Sequence, residues 1–355
     1  MAQKVFVGMS GGVDSSVTAA LLKEQGYNVT GVYMKNWSQD LPGMVCPWKE
    51  DYQDAKRVAV RLGIPFKMYD FEQEYRQKVV DYMLAEYQAG RTPNPDIMCN
   101  QEVKFKLFLD AALEDGADLI ATGHYARVKD GQLFAGIDKN KDQSYFLYRV
   151  TEEALRKTLM PIGEYEKPKV REIAAKFGLA TAEKKDSQGI CFVGKVGIKD
   201  FLLHELGEQP RGAIIDQAGR AIGEHDGAIF YTIGQRHGLD VGGGLPYYVT
   251  GKDMARNEVY VTTDIQDEKL WKKELALTDL HWIQGGAKGT RTPDLLDAKL
   301  QVRTRYRAPL VDCEIELTGD EARLILDEEA RAITPGQSAV IYDGDRVVGG
   351  GIVTV

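Results

Sequence analysis

The first 120 residues alternate short apolar runs with longer amphipathic stretches. Val5-Phe6-Val7-Gly8-Met9 reads as a buried strand, and a glycine-bearing turn leads from it into a helix over about 13–25 that Gly26 stops. Residues 29–34 and 66–69 predict two more strands, with a helix over 50–62 ended by Gly63 between them and another reaching Tyr87. Residues 89–96 are dense in turn formers, and Pro93 and Pro95 predict a loop rather than a helix. Helical spacing resumes over 104–113, and 119–122 reads as a further buried strand. Apolar strands separated by amphipathic helices predict a parallel sheet covered on its faces.

From about residue 205 the texture changes. Glycine-rich turns separate short β-branched and aromatic runs at 213–215, 228–233, 247–250 and 259–262, then at 299–306, 313–317, 338–342 and 347–355. Such spacing predicts small barrels or sandwiches. Three units follow: an α/β domain over 1–204, a small linking domain over 205–272 and a β-rich domain over 273–355.

A chain of 355 residues has room for these three cores, and 43% hydrophobic with 28% charged residues is an ordinary globular balance. No apolar run is long enough to span a membrane, and the N-terminus lacks the apolar stretch of a signal peptide, so the cytoplasm is the expected compartment. A net charge of −8 weighs against broad nucleic-acid binding, although a local basic stripe can exist on an acidic protein. One candidate stripe is Arg303, Arg305 and Arg307, which a strand would place on one face. Cys46, Cys99, Cys191 and Cys313 stand far apart, which argues against a zinc knuckle or a disulfide scaffold.

The densest chemical signal is Gly8-Met9-Ser10-Gly11-Gly12-Val13-Asp14-Ser15-Ser16, set between a strand and a helix. Paired glycines let the backbone approach a ligand, and the helix start turns its N–H groups and dipole toward an anion. Ser10, Ser15 and Ser16 add hydroxyl donors. Asp14 would repel a bare phosphate, so it implies either a metal ion or a structural hydrogen bond. The spacing matches neither the P-loop nor the dinucleotide fingerprint.

Two cysteines have suggestive surroundings. Cys99 follows the proline-rich segment and precedes the helix expected from 104, where a helix dipole favours a thiolate. Cys191 lies in Lys184-Lys185-Asp186-Ser187-Gln188-Gly189-Ile190-Cys191-Phe192-Val193-Gly194, with nearby lysines and flanking glycines. A buried structural cysteine in an apolar strand fits the Cys191 residues equally well. Cys46 and Cys313 read as structural.

The S-G-G-x-D-S segment resembles the PP-loop of the ATP pyrophosphatase superfamily, whose members cleave ATP between the α and β phosphates. Taken alone, it leaves open an amide-forming or lysidine-forming ligase, or an RNA-binding protein that keeps ATP only for structure. The loop together with Met34-Lys35-Asn36-Trp37, Gly90 to Asp96 with Cys99-Asn100, Ala121 to Tyr125, Lys141 to Leu147 and Asp186 to Cys191 resembles the bacterial tRNA-specific 2-thiouridylase family. Further matches at Gly223-Glu224-His225, Thr232 to Arg236, Thr304 to Arg307 and Thr334 to Ser338 extend the resemblance over essentially the whole chain.

That resemblance implies a PP-loop (adenine nucleotide alpha-hydrolase-like) α/β domain, a small central domain and a C-terminal β-barrel-like domain. It implies ATP and Mg2+ as cofactors, and tRNA accepting Lys, Glu or Gln as substrate. It also implies a persulfide sulfur-relay donor protein. ATP adenylates the C2 oxygen of the wobble uridine, Cys191 carries the persulfide, and Cys99 acts as nucleophile or resolving thiol beside the acid/base candidate Asp96. Cys99 and Cys191 then form a transient disulfide, and whether Cys99 attacks the base stays open. Gly8, Met9, Ser10, Gly11, Gly12, Val13, Asp14, Ser15, Met34 and Gly123 are implied to line the nucleotide site, and Asn94, Pro95 and Asp96 to meet the target base. Lys141, Asp142, Gln143, Arg305, Tyr306, Gln337 and His124 are implied tRNA contacts, with a structural role for His124 equally open.

Overall fold

The computed structural model describes residues 2–41, 43, 45–185, 197–239, 241–242, 244, 246–284 and 299–354. Seven strands form in the first unit: β1 (Lys4–Gly8), β2 (Asn28–Lys35), β3 (Phe66–Asp70), β4 (Leu119–Ala121), β5 (Ala126–Lys129), β6 (Gln132–Ala135) and β7 (Thr158–Leu159). Five of them make a parallel sheet in the order β3-β2-β1-β4-β7. Alternation along β1 explains its two buried faces. Val5 and Val7 pack with Val17, Leu21 and Val58 on one side, whereas Phe6 packs with Val32, Phe108 and Ile120 on the other. The chain runs from β1 outward to β2 and β3, then returns to place β4 on the opposite flank. The loop after β1 therefore opens at the point where strand order reverses, where α/β sheets bind ligands.

Helix α1 (Val13–Glu24) follows that loop, and α2 (Trp48–Leu62) ends at Gly63 in the left-handed conformation, as its sequence predicts. Two later helices depart from expectation. The helix reaching Gln88 passes through a π turn over Arg76–Val80. Residues expected to be a loop instead start a helix at Pro95: Pro95–Met98 is α, Cys99–Leu107 is π and Phe108–Glu114 is α again. Proline tolerates the first helical position because its missing N–H has no partner there. The Asn94 side chain accepts from Asp96 N and caps that start.

The middle unit is a four-stranded sheet of β8 (Gly212–Ile215), β9 (Ala221–His225), β10 (Tyr248–Asp253) and β11 (Glu258–Thr262), in the order β10-β11-β8-β9. The strand expected over 228–233 is a single 3-10 turn, Ala228–Phe230, because the chain bends at Gly227 and Ala228 N donates to Asn257 Oδ1 instead of to a neighbouring strand.

The last unit contains β12 (Trp271–Trp282), β13 (Leu300–Arg303), β14 (Val311–Thr318), β15 (Glu321–Arg331), β16 (Ser338–Asp343) and β17 (Arg346–Val353). Pairing runs β12-β15-β14-β13-β16-β17, and β12 also pairs with β17, so the antiparallel sheet closes into a barrel. The α/β architecture with two β-rich units matches the fold class read from the sequence. The hairpin β5–β6 was not anticipated, and it joins the barrel sheet through β6 and β17. Tyr145 and Tyr148 seal this junction by donating to Ser338 O and bonding Ser338 Oγ, at 2.9 and 3.1 Å. Among the described residues, no helix is long and apolar enough to cross a membrane.

Candidate active site

The phosphate loop is built as an open cradle. Gly12 is the N-cap of α1 and no side chain caps the helix, so the N–H groups of its first turn face the loop. Ser15 Oγ accepts from Ser10 N at 3.1 Å and pins the loop back onto the helix, while Ser10 itself is exposed. Gly11 has φ +76°, and a Cβ there would lie 2.3 Å from Asp51 O, so glycine is required both by conformation and by the approach of α2. Met34 lines the neighbouring strand end, where a Cβ on Gly8 would come within 2.9 Å of its Cε.

Of the two readings for Asp14, the hydrogen-bonded one is what forms. Lys167 Nζ donates to both carboxylate oxygens at 2.7 and 2.9 Å, and the Tyr125 hydroxyl donates to Oδ1 at 2.8 Å. A second lysine, Lys184, donates to Gly11 O at 3.1 Å, Asp51 at 2.8 Å and Asp54 at 2.7 Å. Burial draws its pKa down, but the two carboxylates outweigh that and leave it raised. Lys167 and Lys184 thus fix the loop from opposite sides. The sequence reading noted Lys184 only for its closeness to Cys191 and missed Lys167, because both partners lie more than a hundred residues away.

Cys99 is not at a helix N-terminus. It is the fifth residue of the Pro95 helix, at the point where α becomes π, and it is 3% exposed. The first-turn dipole argument therefore passes to Asp96, which lies one turn earlier, on the side of the helix facing Cys99. Burial raises the Asp96 carboxyl above its ordinary range, and Lys104 partly offsets this. A carboxyl tuned upward in this way suits proton transfer. Asn100 is also buried, donating Nδ2 to Phe146 O at 3.1 Å.

The segment after β4 touches both halves of the site. Gly123 lies so close to α1 that a Cβ would be 2.7 Å from Ser15 N. Its neighbours turn the other way: His124 Nδ1 bonds Thr122 Oγ1 at 2.8 Å, and His124 Nε2 meets Lys104 Nζ at 3.5 Å. The glycine-rich loop after β1 and the Cys99 helix in this way both pack around the end of β4. Cys191 lies outside the described residues.

The basic stripe expected at the C-terminal end does not form. Strand β13 stops at Arg303, and Arg307 takes φ +64°, so the three arginines turn apart. Arg303 pairs with buried Asp142 at 3.1 Å, Arg305 donates to Ile233 O and Thr334 Oγ1, and Arg307 donates to Asn140 O. Asp142, expected at the RNA, is instead 4% exposed and accepts from Gly136 N, Ser144 N and Ser144 Oγ. Gln143 accepts from Tyr125 N through Oε1. Lys141 and Tyr306 are half-buried beside them, with the Tyr306 ring 4.5 Å from Phe146 and Arg307 over its face. Gln337 Nε2 donates to Thr92 O at 2.7 Å, and Thr92 N donates to Pro335 O, so the barrel holds the segment leading into Asn94 and Pro95. Thr232 of the middle unit bonds the Thr92 hydroxyl from the other side. His124 is likewise buried rather than presented at the surface.

Comparison with known proteins follows this division. Residues 3–195 match the family model described as tRNA methyl transferase HUP domain, residues 199–263 the tRNA methyl transferase PRC-barrel domain, and residues 272–353 the aminomethyltransferase beta-barrel domain. The tRNA-specific 2-thiouridylase MnmA of Streptococcus mutans is 49% identical over 99% of this chain and 95% of its own length. The chain belongs to the tRNA-specific 2-thiouridylase family. Its counterpart in Lactococcus lactis subsp. cremoris is 48% identical over the same shares. Among solved structures, a predicted subunit of tRNA methyltransferase from Methanocaldococcus jannaschii aligns at 20% identity with a TM-score of 0.34, over 49% of this chain and 76% of that one.

Within a 2-thiouridylase frame, the residues missed by sequence reasoning are the supports: Lys167, Lys184, Tyr125, Thr92 and Thr232. Each acts through a partner distant in sequence. Tyr125, Thr92 and Thr232 stood in segments that resemble the family and Lys184 in the segment around Cys191, but none of these pointed to its partner, and Lys167 carried no local signal.

Proposed function

We propose that the protein converts the wobble uridine of tRNA, position 34, to 2-thiouridine at the expense of ATP. The observation that supports this most directly is the strand end after β4, where Gly123 packs closely against Ser15 of the glycine-rich loop while His124 bonds Thr122 and meets Lys104 of the Cys99 helix. ATP-driven sulfur transfer uses both loop and helix.

In this reading Gly8 to Ser15, Met34 and Gly123 hold ATP, and Asn94 to Asp96 meet the base. The uracil C2 oxygen bonds to the α-phosphorus and pyrophosphate leaves. The terminal sulfur of a persulfide on Cys191 then bonds to C2, and AMP departs. Cys99, as thiolate, attacks the inner sulfur, which breaks the S–S bond and leaves 2-thiouridine with a Cys99–Cys191 disulfide. A cellular dithiol reduces that disulfide, and a persulfide-bearing relay protein recharges Cys191. Asp96 moves the proton at the base or thiol. Magnesium would arrive on the nucleotide phosphates: the carboxylates beside the loop, Asp14, Asp51 and Asp54, are already neutralised by lysines, so it is assigned no protein ligand and no step.

We assign tRNA contact to Lys141, Tyr306 and Arg307 and leave Asp142, Gln143, His124, Arg305 and Gln337 as the frame behind them. We take domain boundaries near 204 and 272 and a cytoplasmic setting, where tRNAs accepting Lys, Glu and Gln are the substrates. The test is nucleoside analysis after incubating the protein with ATP, magnesium, a persulfide source and each unmodified tRNA. Wild type forms 2-thiouridine, whereas Cys99→Ser and Cys191→Ser form none but still release pyrophosphate. Absence of 2-thiouridine from wild type with all three acceptors overturns the reading.

A further inference from the structure

Lysine can only donate, so the contact between Lys104 Nζ and His124 Nε2 fixes the histidine's state. Nε2 is the acceptor, Nδ1 carries the hydrogen, and that hydrogen goes to Thr122 Oγ1. The ring is buried against Phe105, with centroids 5.6 Å apart, and burial followed by the Lys104 charge drives its pKa well below the ordinary value. His124 is thus the accepting seat of this pair and Lys104 its donor.

Lys104 lies eight residues after Asp96 and four after Asn100, on one stripe of the helix. Asn100 Oδ1 is buried on that stripe without a hydrogen-bond donor. The π segment changes what Lys104 faces. With i→i+5 bonding from Cys99 onward, Lys104 sits one turn above Cys99. An α-helix would rotate it about 140° away from the thiol. The wide turn therefore gathers Asp96, Cys99 and Lys104 onto one side, a grouping that a uniform α-helix through the same residues does not make.

We propose that Lys104, seated on His124, is a positioning residue for sulfur transfer, supplying the positive charge that faces Cys99 from one turn and Asp96 from two turns along the helix. The inference rests on the thiolation reading for its role in turnover, but its electrostatic content stands apart from it. The ammonium opposes the burial that raises the Asp96 carboxyl.

The test uses the full chain with Lys104→Met, Lys104→Arg and His124→Asn. Without the ammonium, burial acts unopposed on Asp96, so the acidic limb of the thiolation pH profile moves to higher pH. Lys104→Met should lose at least tenfold in rate at pH 6 and recover most of it at pH 8.5. Lys104→Arg should restore the wild-type limb, and His124→Asn should shift it less than Lys104→Met does. A loss of equal size at every pH, with the limb unmoved, overturns the proposal. Titration of the 13C-labelled Asp96 carboxyl, assigned by difference from Asp96→Asn, requires no substrate. It should give a higher pKa in Lys104→Met than in wild type, and equal values overturn the proposal whether or not 2-thiouridine is made. If wild type makes none while the carboxyl still shifts, the thiolation reading fails and the electrostatic one survives.

Discussion

Burial decides the character of Asp96. Its carboxyl is raised in the folded protein, so folding disfavours the ionised form, and stability falls as pH climbs from the ordinary carboxylate range through the raised value. Asp96→Asn should therefore unfold at a higher temperature than wild type at pH 7 to 8, with the difference vanishing near pH 4, while 2-thiouridine formation is lost. Differential scanning calorimetry across that range checks the sign, and an advantage that persists at pH 4 would point to a packing effect instead. Several residues at this scale stand out by type and spacing, namely the loop serines, Asp14 and Cys99, whereas Asp96 enters only through the family resemblance. Their partners do not stand out. Nothing local to Asp14 announces Lys167, and Arg305 reads as a surface contact until Ile233 and Thr334 are seen to receive it.

At the level of elements, the phosphate loop depends on one glycine that faces α2. Gly11→Ala would place a methyl group against Asp51 O while holding an unfavourable positive φ, at a cost on the order of 1–3 kcal/mol from the backbone alone. Expected outcomes are a lower unfolding midpoint and at least about tenfold weaker ATP binding by calorimetry, since 1.4 kcal/mol corresponds to a factor of ten. Periodicity predicts β1 to β4 of the parallel sheet and the helices α1 and α2 closely, because their apolar faces repeat at the expected intervals, whereas the two-residue β7 is too short to leave such a pattern. It fails at the Pro95 helix for a physical reason. Two prolines look like helix breakers, yet one occupies the single position a helix tolerates, and Asn94 was the capping signal beside it. A π turn leaves no comparable trace, since the same side chains satisfy either winding. Strand β15 was readable in principle, with Ala322, Leu324 and Leu326 inward between charged neighbours, but its acidic outer face hid it.

For the whole molecule, the barrel and the catalytic domain share a sheet, and this continuity makes them one folding unit. Removing residues beyond 270 would strip β17 from β6, leaving an open strand edge and depriving the Tyr145 and Tyr148 hydroxyls of Ser338. Such a fragment should aggregate or bind a hydrophobic dye, as measured by light scattering and dye fluorescence; a soluble, cooperatively melting fragment would refute the shared unit. Composition and turn spacing revealed that there are β-rich units after residue 205. They could not reveal that the catalytic domain lends them a hairpin, because strand pairing across such a separation has no local signature.

The shared sheet also sets a timetable for synthesis. Arg127 of the hairpin finds its Asp345 partner 218 residues downstream. At roughly 5–20 residues per second, that is on the order of 10–40 s during which the finished ATP-binding half waits on the ribosome with an unmet edge. The nascent first domain thus carries an unpaired strand edge for much of its synthesis, completed only when the last strand emerges.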